Sequence, residues 1–141
     1  DAVYQAFYSD EVTRGFLHSH SYTGNALACA AALATLELFK HQDVLARNRI
    51  LATQLTQRCD AIRAHPAVQN FRQTGMIWAF DIADAPAGFA RRFAQQSLDR
   101  GVLLRPIGNT VYFMPPYVIS DSDIQHLVDA TLGALQASLD R

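Results

Sequence analysis

The scarcest useful residue in this 141-residue chain is lysine: of twelve basic residues eleven are arginine, and Lys40 stands alone. Chemistry that needs a lysine amine must therefore use Lys40 or draw on another part of a larger assembly. Cysteine is nearly as rare. Cys29 and Cys59 lie inside helix-like patterns, where free cysteine usually serves as a small buried hydrophobe, and a reducing, cytoplasmic setting fits. The basic residues form no run and the formal net charge is −1, so the electrostatic footprint of a nucleic-acid binder is missing. The longest apolar stretch, Ala26 to Leu36, is too short for a bilayer and is mostly alanine, and no charged leader with a cleavage site opens the sequence. No membrane partner is expected.

Half of the residues are apolar and 18% are charged, a balance that supports a packed core. Val3, Tyr4 and Phe7 sit at helical spacing and give way to a polar loop at Ser9-Asp10, as if the opening segment ended something larger. From Ala26 to about Lys40, Leu27, Ala30, Ala31, Ala34 and Leu38 recur at spacings of three and four, which predicts a helix apolar round much of its circumference and hence largely buried. Asp43 can cap a second long helix with the stripe Leu51, Leu55, Cys59 and Ile62, ending before His65-Pro66. Its other face carries Arg47, Arg49, Gln54, Gln57 and Arg58, so that side is expected in solvent.

After Pro66 the period changes. Val68 to Arg72 and Met76 to Ile82 read as strands around Thr74-Gly75, and a helix carrying Phe89, Phe93 and Ala94 stops at Gly101. Strands are expected again at Val102 to Arg105 and Thr110 to Met114, joined by Pro106-Ile107-Gly108-Asn109 and stopped by Pro115-Pro116. Ser120-Asp121-Ser122-Asp123 opens the last helix like a capping box, and Ile124, Leu127, Val128, Leu132, Leu135 and Leu139 form its inner stripe. The order strand, strand, helix, strand, strand, helix predicts an α+β fold: a small, mainly antiparallel sheet with helices on one face, preceded by two long helices. Residues 1–65 contain no strand pattern, so the chain is read as two unequal parts, 1–65 and 66–141.

Three places could carry chemistry. The turn Ser21-Tyr22-Thr23-Gly24-Asn25 lies directly before the alanine-rich helix, where free backbone N–H groups and hydroxyls suit phosphate oxygens. The same residues would also serve as an ordinary helix cap. His18 and His20 make a His-x-His pair, but no acidic or cysteine ligand is near in sequence, and loop hydrogen bonding accounts for them better than a metal. Arg105, in Leu103-Leu104-Arg105-Pro106, either closes a structural salt bridge or aims its planar fork at a carboxylate. Tyr112 and Tyr117 flank the proline stop, with core packing as their default.

Two segments, His18-Ser-His-Ser-Tyr-Thr-Gly-Asn-Ala-Leu-Ala-Cys-Ala-Ala-Ala and Gly101-Val-Leu-Leu-Arg-Pro-Ile-Gly-Asn-Thr-Val-Tyr-Phe-Met-Pro-Pro-Tyr, together resemble the class III aminotransferases of pyridoxal-phosphate fold type I. The resemblance runs in order along essentially the whole chain, and the closing Tyr112-Phe-Met-Pro-Pro-Tyr117 looks most like the biotin-pathway branch. It implies that 1–65 belongs to a cofactor-binding large domain and its linking helix, and 66–141 to the small domain. It also implies that Ser21 reaches the cofactor phosphate across a homodimer interface with Tyr22 beside it in the cofactor site, that Arg105 holds a substrate carboxylate, and that Tyr112 lines the substrate pocket. Pyridoxal-phosphate chemistry requires a Schiff-base lysine, an acidic partner for the ring nitrogen and an aromatic stack. In the family all three lie upstream of the region represented here, so the chain is expected to be an inactive fragment of a transaminase with no catalytic residue of its own. The contrasting expectation is a stand-alone α+β binding or dimerisation module.

Overall fold

A computed structural model describes residues 1–16 and 23–139. They form two compact units, one up to His41 and one from Gln42 onward.

In the first unit, helix α1 (Ala2–Phe7) is followed by a single 3-10 turn at Val12–Arg14 and by helix α2 (Ala26–His41). Ring contacts tie the start together: Tyr4 stacks on Tyr8 and Phe7 leans on Phe16, each pair with centroids 5.2 Å apart. Alanine-rich composition favours α2, and the Asn25 side-chain oxygen accepts from the Ala28 N–H at 3.0 Å to satisfy one of its free donors. The described residues do not supply the burial expected for α2. None of its residues is buried, and Leu27, Leu33, Leu36 and Leu38 are all exposed. Cys29, expected inside, is exposed with them. Helix propensity alone suffices to form such a segment, whereas burial requires a neighbour that no described residue supplies.

The second unit begins with helix α3 (Val44–Arg58), which breaks at Cys59 and resumes as the single turn α4 (Asp60–Arg63). Asp43 occupies the cap position of α3 in a left-handed conformation (φ 47°) and makes no side-chain capping bond, contrary to the sequence expectation. Strands β1 (Val68–Thr74), β2 (Ile77–Ile82) and β3 (Thr110–Phe113) form an antiparallel sheet in that order, with helix α5 (Phe89–Leu98) between β2 and β3 and helix α6 (Asp121–Leu139) last. Leu55, Cys59 and Ile62 pack into the same core as the sheet and α6, which is why α3 groups with the C-terminal elements. The compact units therefore divide at 41/42.

Period-two burial sets the sheet's two faces. Trp78, Phe80 and Ile82 of β2 and Val111 and Phe113 of β3 are buried against Phe89 and Phe93 of α5 and Ile124, Val128 and Leu135 of α6. The alternate residues Ala79, Asp81, Thr110 and Tyr112 lie on the opposite face. The indole N–H of Trp78 donates to Thr56 Oγ1 at 2.8 Å, joining α3 to the sheet. At the start of α6, Ser120 Oγ accepts from the Asp123 N–H and Asp123 Oδ2 accepts from the Ser120 N–H, the reciprocal capping box read from the sequence.

One expected strand is missing. The run from Val102 to Arg105 pairs with no strand; Leu104 buries its side chain, Pro106 offers no N–H, and β3 forms only after the chain has turned back at Ile107.

Cys59 is the buried small hydrophobe expected of it, and burial, reinforced by the charge of Asp60, pushes its thiol from the ordinary 9.0 up to about 12. Because the folded state then holds the thiol proton more tightly than the unfolded chain, this contribution to stability is full below about 9 and is lost as pH rises toward about 12. Denaturant titrations at rising pH are expected to show wild type losing stability relative to Cys59→Ala across this alkaline window. Parallel curves would contradict the assignment.

Candidate functional site

Ser21 and Tyr22, the expected cofactor-binding residues, and the His18–His20 pair lie outside the described residues. Just beyond them, the Asn25 side-chain oxygen accepts from the Ala28 N–H at the start of α2. Among the described residues no group of three or more histidine, cysteine or acidic side chains could hold a metal ion, and no helix is long and apolar enough to cross a membrane.

Arg105 is exposed and makes no hydrogen bond or ion pair with any described residue. The structural salt bridge that competed with the ligand-binding reading is thus absent among those residues. The segment carrying it is nevertheless fixed at both ends. Leu104 is 93% withdrawn from solvent on one side (7% exposed). On the other, Ile107 and Thr110 exchange two backbone hydrogen bonds of 2.9 and 3.0 Å around Gly108-Asn109. Gly108 adopts φ 62°, a value a tight two-residue hairpin needs and glycine supplies without strain. Asn109 then staples the turn to the end of β2: its side-chain amide donates to the Ile82 carbonyl at 3.2 Å, and its own carbonyl accepts from the Ile82 N–H at 2.9 Å.

Tyr112 is half-buried on β3, opposite Ala79 and on the face turned away from the core, so full core packing does not describe it. Beside it, Asp81 accepts from Thr110 Oγ1 at 2.7 Å, from the Arg72 guanidinium at 3.2 and 3.3 Å and from the Asn70 amide at 3.2 Å. The Thr110 hydroxyl first, then Arg72 and Asn70, hold the Asp81 carboxyl below the usual carboxylate range. The sequence offered one hint of this cluster, a carboxylate alternating with Trp78, Phe80 and Ile82 in a strand, but it did not name the partners.

Another hollow lies elsewhere in the second unit. A cavity of about 620 Å³ lies between α3 and the β1–β2 hairpin, with Leu45, Arg49, Met76 and Tyr117 in its wall; neither Arg105 nor Tyr112 lines it. A smaller one of about 340 Å³ is walled by Leu103, Leu104, Phe113 and Met114, the chain neighbours of Arg105 and Tyr112. The apolar neighbours line that hollow, and the two candidate side chains do not.

The model of the family described as aminotransferase class III matches residues 1–135. The chain belongs to the class III aminotransferases. An adenosylmethionine-8-amino-7-oxononanoate aminotransferase of Helicobacter pylori is 37% identical over 132 residues, which cover 89% of this chain and 30% of that protein. The crystal structure of the enzyme of that name from Methanocaldococcus jannaschii superposes with a TM-score of 0.77 at 29% identity, covering 95% of this chain and 33% of that one. A PLP-bound aminotransferase mutant from Vibrio fluvialis shares the fold, with a TM-score of 0.76 at 22% identity, over 89% of this chain and 30% of its own. The chain thus spans about a third of the length of the class III aminotransferases it matches. The expected fold, a small antiparallel sheet with helices from pyridoxal-phosphate fold type I, agrees with these likenesses.

A class III aminotransferase needs a desolvated lysine to hold its cofactor, and Lys40 does not fit that role. It lies exposed at the last turn of α2, next to His41, which pairs with Glu37 at 2.9 Å. No described residue of this chain can take the place of the family's cofactor lysine.

Proposed function

We propose that this chain is the substrate-carboxylate-binding part of a longer, homodimeric and cytoplasmic aminotransferase that uses pyridoxal 5'-phosphate. That enzyme would convert 7-keto-8-aminopelargonate to 7,8-diaminopelargonate, with S-adenosylmethionine as amino donor, in biotin synthesis. The observation that carries this reading is the exposed guanidinium of Arg105, unpaired among the described residues, on a segment fixed at both ends. A planar fork held in this way suits a carboxylate, and leaving it unpaired keeps the fork available. The names and partial coverage of the relatives support the choice of reaction.

In this reading Tyr112 borders the substrate near Arg105, while Ser21 reaches the phosphate of the partner subunit's cofactor and Tyr22 lies in that cofactor site. Residues 1–65 belong to the large domain and linking helix of the parent, and residues 66–141 form its small domain. The amine that holds the cofactor comes from outside this chain, because Lys40 is in solvent.

The test is a paired assay. Loaded with pyridoxal phosphate, the longer protein is expected to convert the keto-acid and S-adenosylmethionine to the diamine, read by mass spectrometry, and the purified chain alone is expected to convert none. Turnover by the chain alone would defeat the proposal. Turnover of other ω-amino acids in place of this pair would move the assignment to another branch of the family.

A further inference from the structure

Nothing in the sheet ladder holds Arg105, since the run from Val102 to Arg105 pairs with no strand. Its orientation depends on two anchors, the buried Leu104 before it and the Ile107–Thr110 turn after it. We propose that Thr110 and Asp81 are positioning residues that fix this turn, and through it Arg105, for the substrate carboxylate. The inference rests on the reading of Arg105 given above.

Two features support it. First, the turn closes on Thr110, and the side chain of that same residue donates to Asp81 at 2.7 Å, the shortest of the bonds that converge on this carboxylate. A hydroxyl donating to a charged acceptor makes a stronger link than a neutral pair. Asp81 is itself immobilised by Arg72 and Asn70, and its side chain is only 23% exposed. The Thr110 hydroxyl is therefore tied to a carboxylate on β2 that three other hydrogen bonds also engage. Second, Arg72 is engaged by this carboxylate, whereas Arg105 has no hydrogen bond or ion pair among the described residues.

Thr110→Val removes the hydroxyl and keeps the β-branched shape that suits a strand. In the cofactor-loaded longer enzyme it is expected to raise KM for 7-keto-8-aminopelargonate about five- to tenfold, less than the full worth of one hydrogen bond to a charged group because Thr110 acts on Arg105 only through the turn. The kcat at saturating keto-acid and the KM for S-adenosylmethionine should stay near wild type. Thr110→Ser should restore the keto-acid KM. In an Arg105→Ala background Thr110→Val should add no further loss, because nothing is left to position. Should Thr110→Val fail to fold, Asp81→Asn carries the same test: it keeps an acceptor for the hydroxyl but makes it neutral, so the same KM should rise by a smaller factor, about two- to threefold.

A fall in kcat without a KM change, or an equal effect of Thr110→Val with and without Arg105, would overturn the positioning role and show a structural one. If Arg105→Ala itself leaves the keto-acid KM unchanged, the failure lies in the underlying reading of Arg105, and the inference falls with it.

Discussion

Arg105→Ala in the longer enzyme is expected to raise the KM for 7-keto-8-aminopelargonate about thirtyfold, equivalent to about 2 kcal/mol for a desolvated charge-assisted pair. Use of S-adenosylmethionine should change far less, because the fork is assigned to the keto-acid carboxylate alone. Stability should hardly move. Arg105 is exposed and touches no described residue through a hydrogen bond or ion pair, so truncation leaves no buried group unpaired, and the change in unfolding free energy should stay within about 0.5 kcal/mol. Arg105→Lys separates charge from shape: an ammonium keeps the attraction but cannot make two parallel bonds, so the KM should fall between those of wild type and alanine. Equal losses for keto-acid and donor, or a large drop in melting temperature, would remove Arg105 from the binding site.

The features legible in the sequence are those set by local chemistry. The Ser120–Asp123 box, the alternation of Trp78, Phe80 and Ile82, and the alanine-rich run of α2 each depend on a few neighbouring residues, and each appears where its pattern places it. Features set by distant residues were not legible. An apolar helix reads as buried, yet α2 finds no cover among the described residues, and no count of its own side chains could have revealed that.

The Asp81 cluster shows a subtler limit. Val68 pairs with Ile82 and Gln69 with Asp81, and the same register would have set Arg72 opposite Trp78, on the buried face. A bulge between Gln69 and Arg72, with Asn70 at φ 50°, shifts the pairing so that Arg72 stands opposite Ala79. That single extra residue turns Phe71 toward Phe80 in the core and brings Arg72 to Asp81 on the polar face. Alternation alone could not have found the pair, because the bulge interrupts the alternation.

Phe80→Ala tests whether this bulged register builds the core. Phe80 sits fully buried in the middle strand, with Phe71 stacked at 6.2 Å between centroids and Phe113 edge-on at 5.8 Å. Truncation removes a whole ring and leaves a cavity among rigid neighbours, a change that costs about 3–5 kcal/mol. Total stabilities of single domains are about 5–15 kcal/mol, so the loss should consume a large share and move the urea midpoint of the chain strongly downward. Phe71 is only half-buried and has Phe80 as its ring partner within the core, and Arg63 lies over its ring at 5.5 Å. Phe71→Ala should therefore cost clearly less, about 1–2 kcal/mol, because part of that ring already faces water. The order of the two effects is the informative result. If Phe71→Ala cost as much as Phe80→Ala, Phe71 would have to lie deeper than the bulge places it, and Arg72 would lose the register that carries it to Asp81.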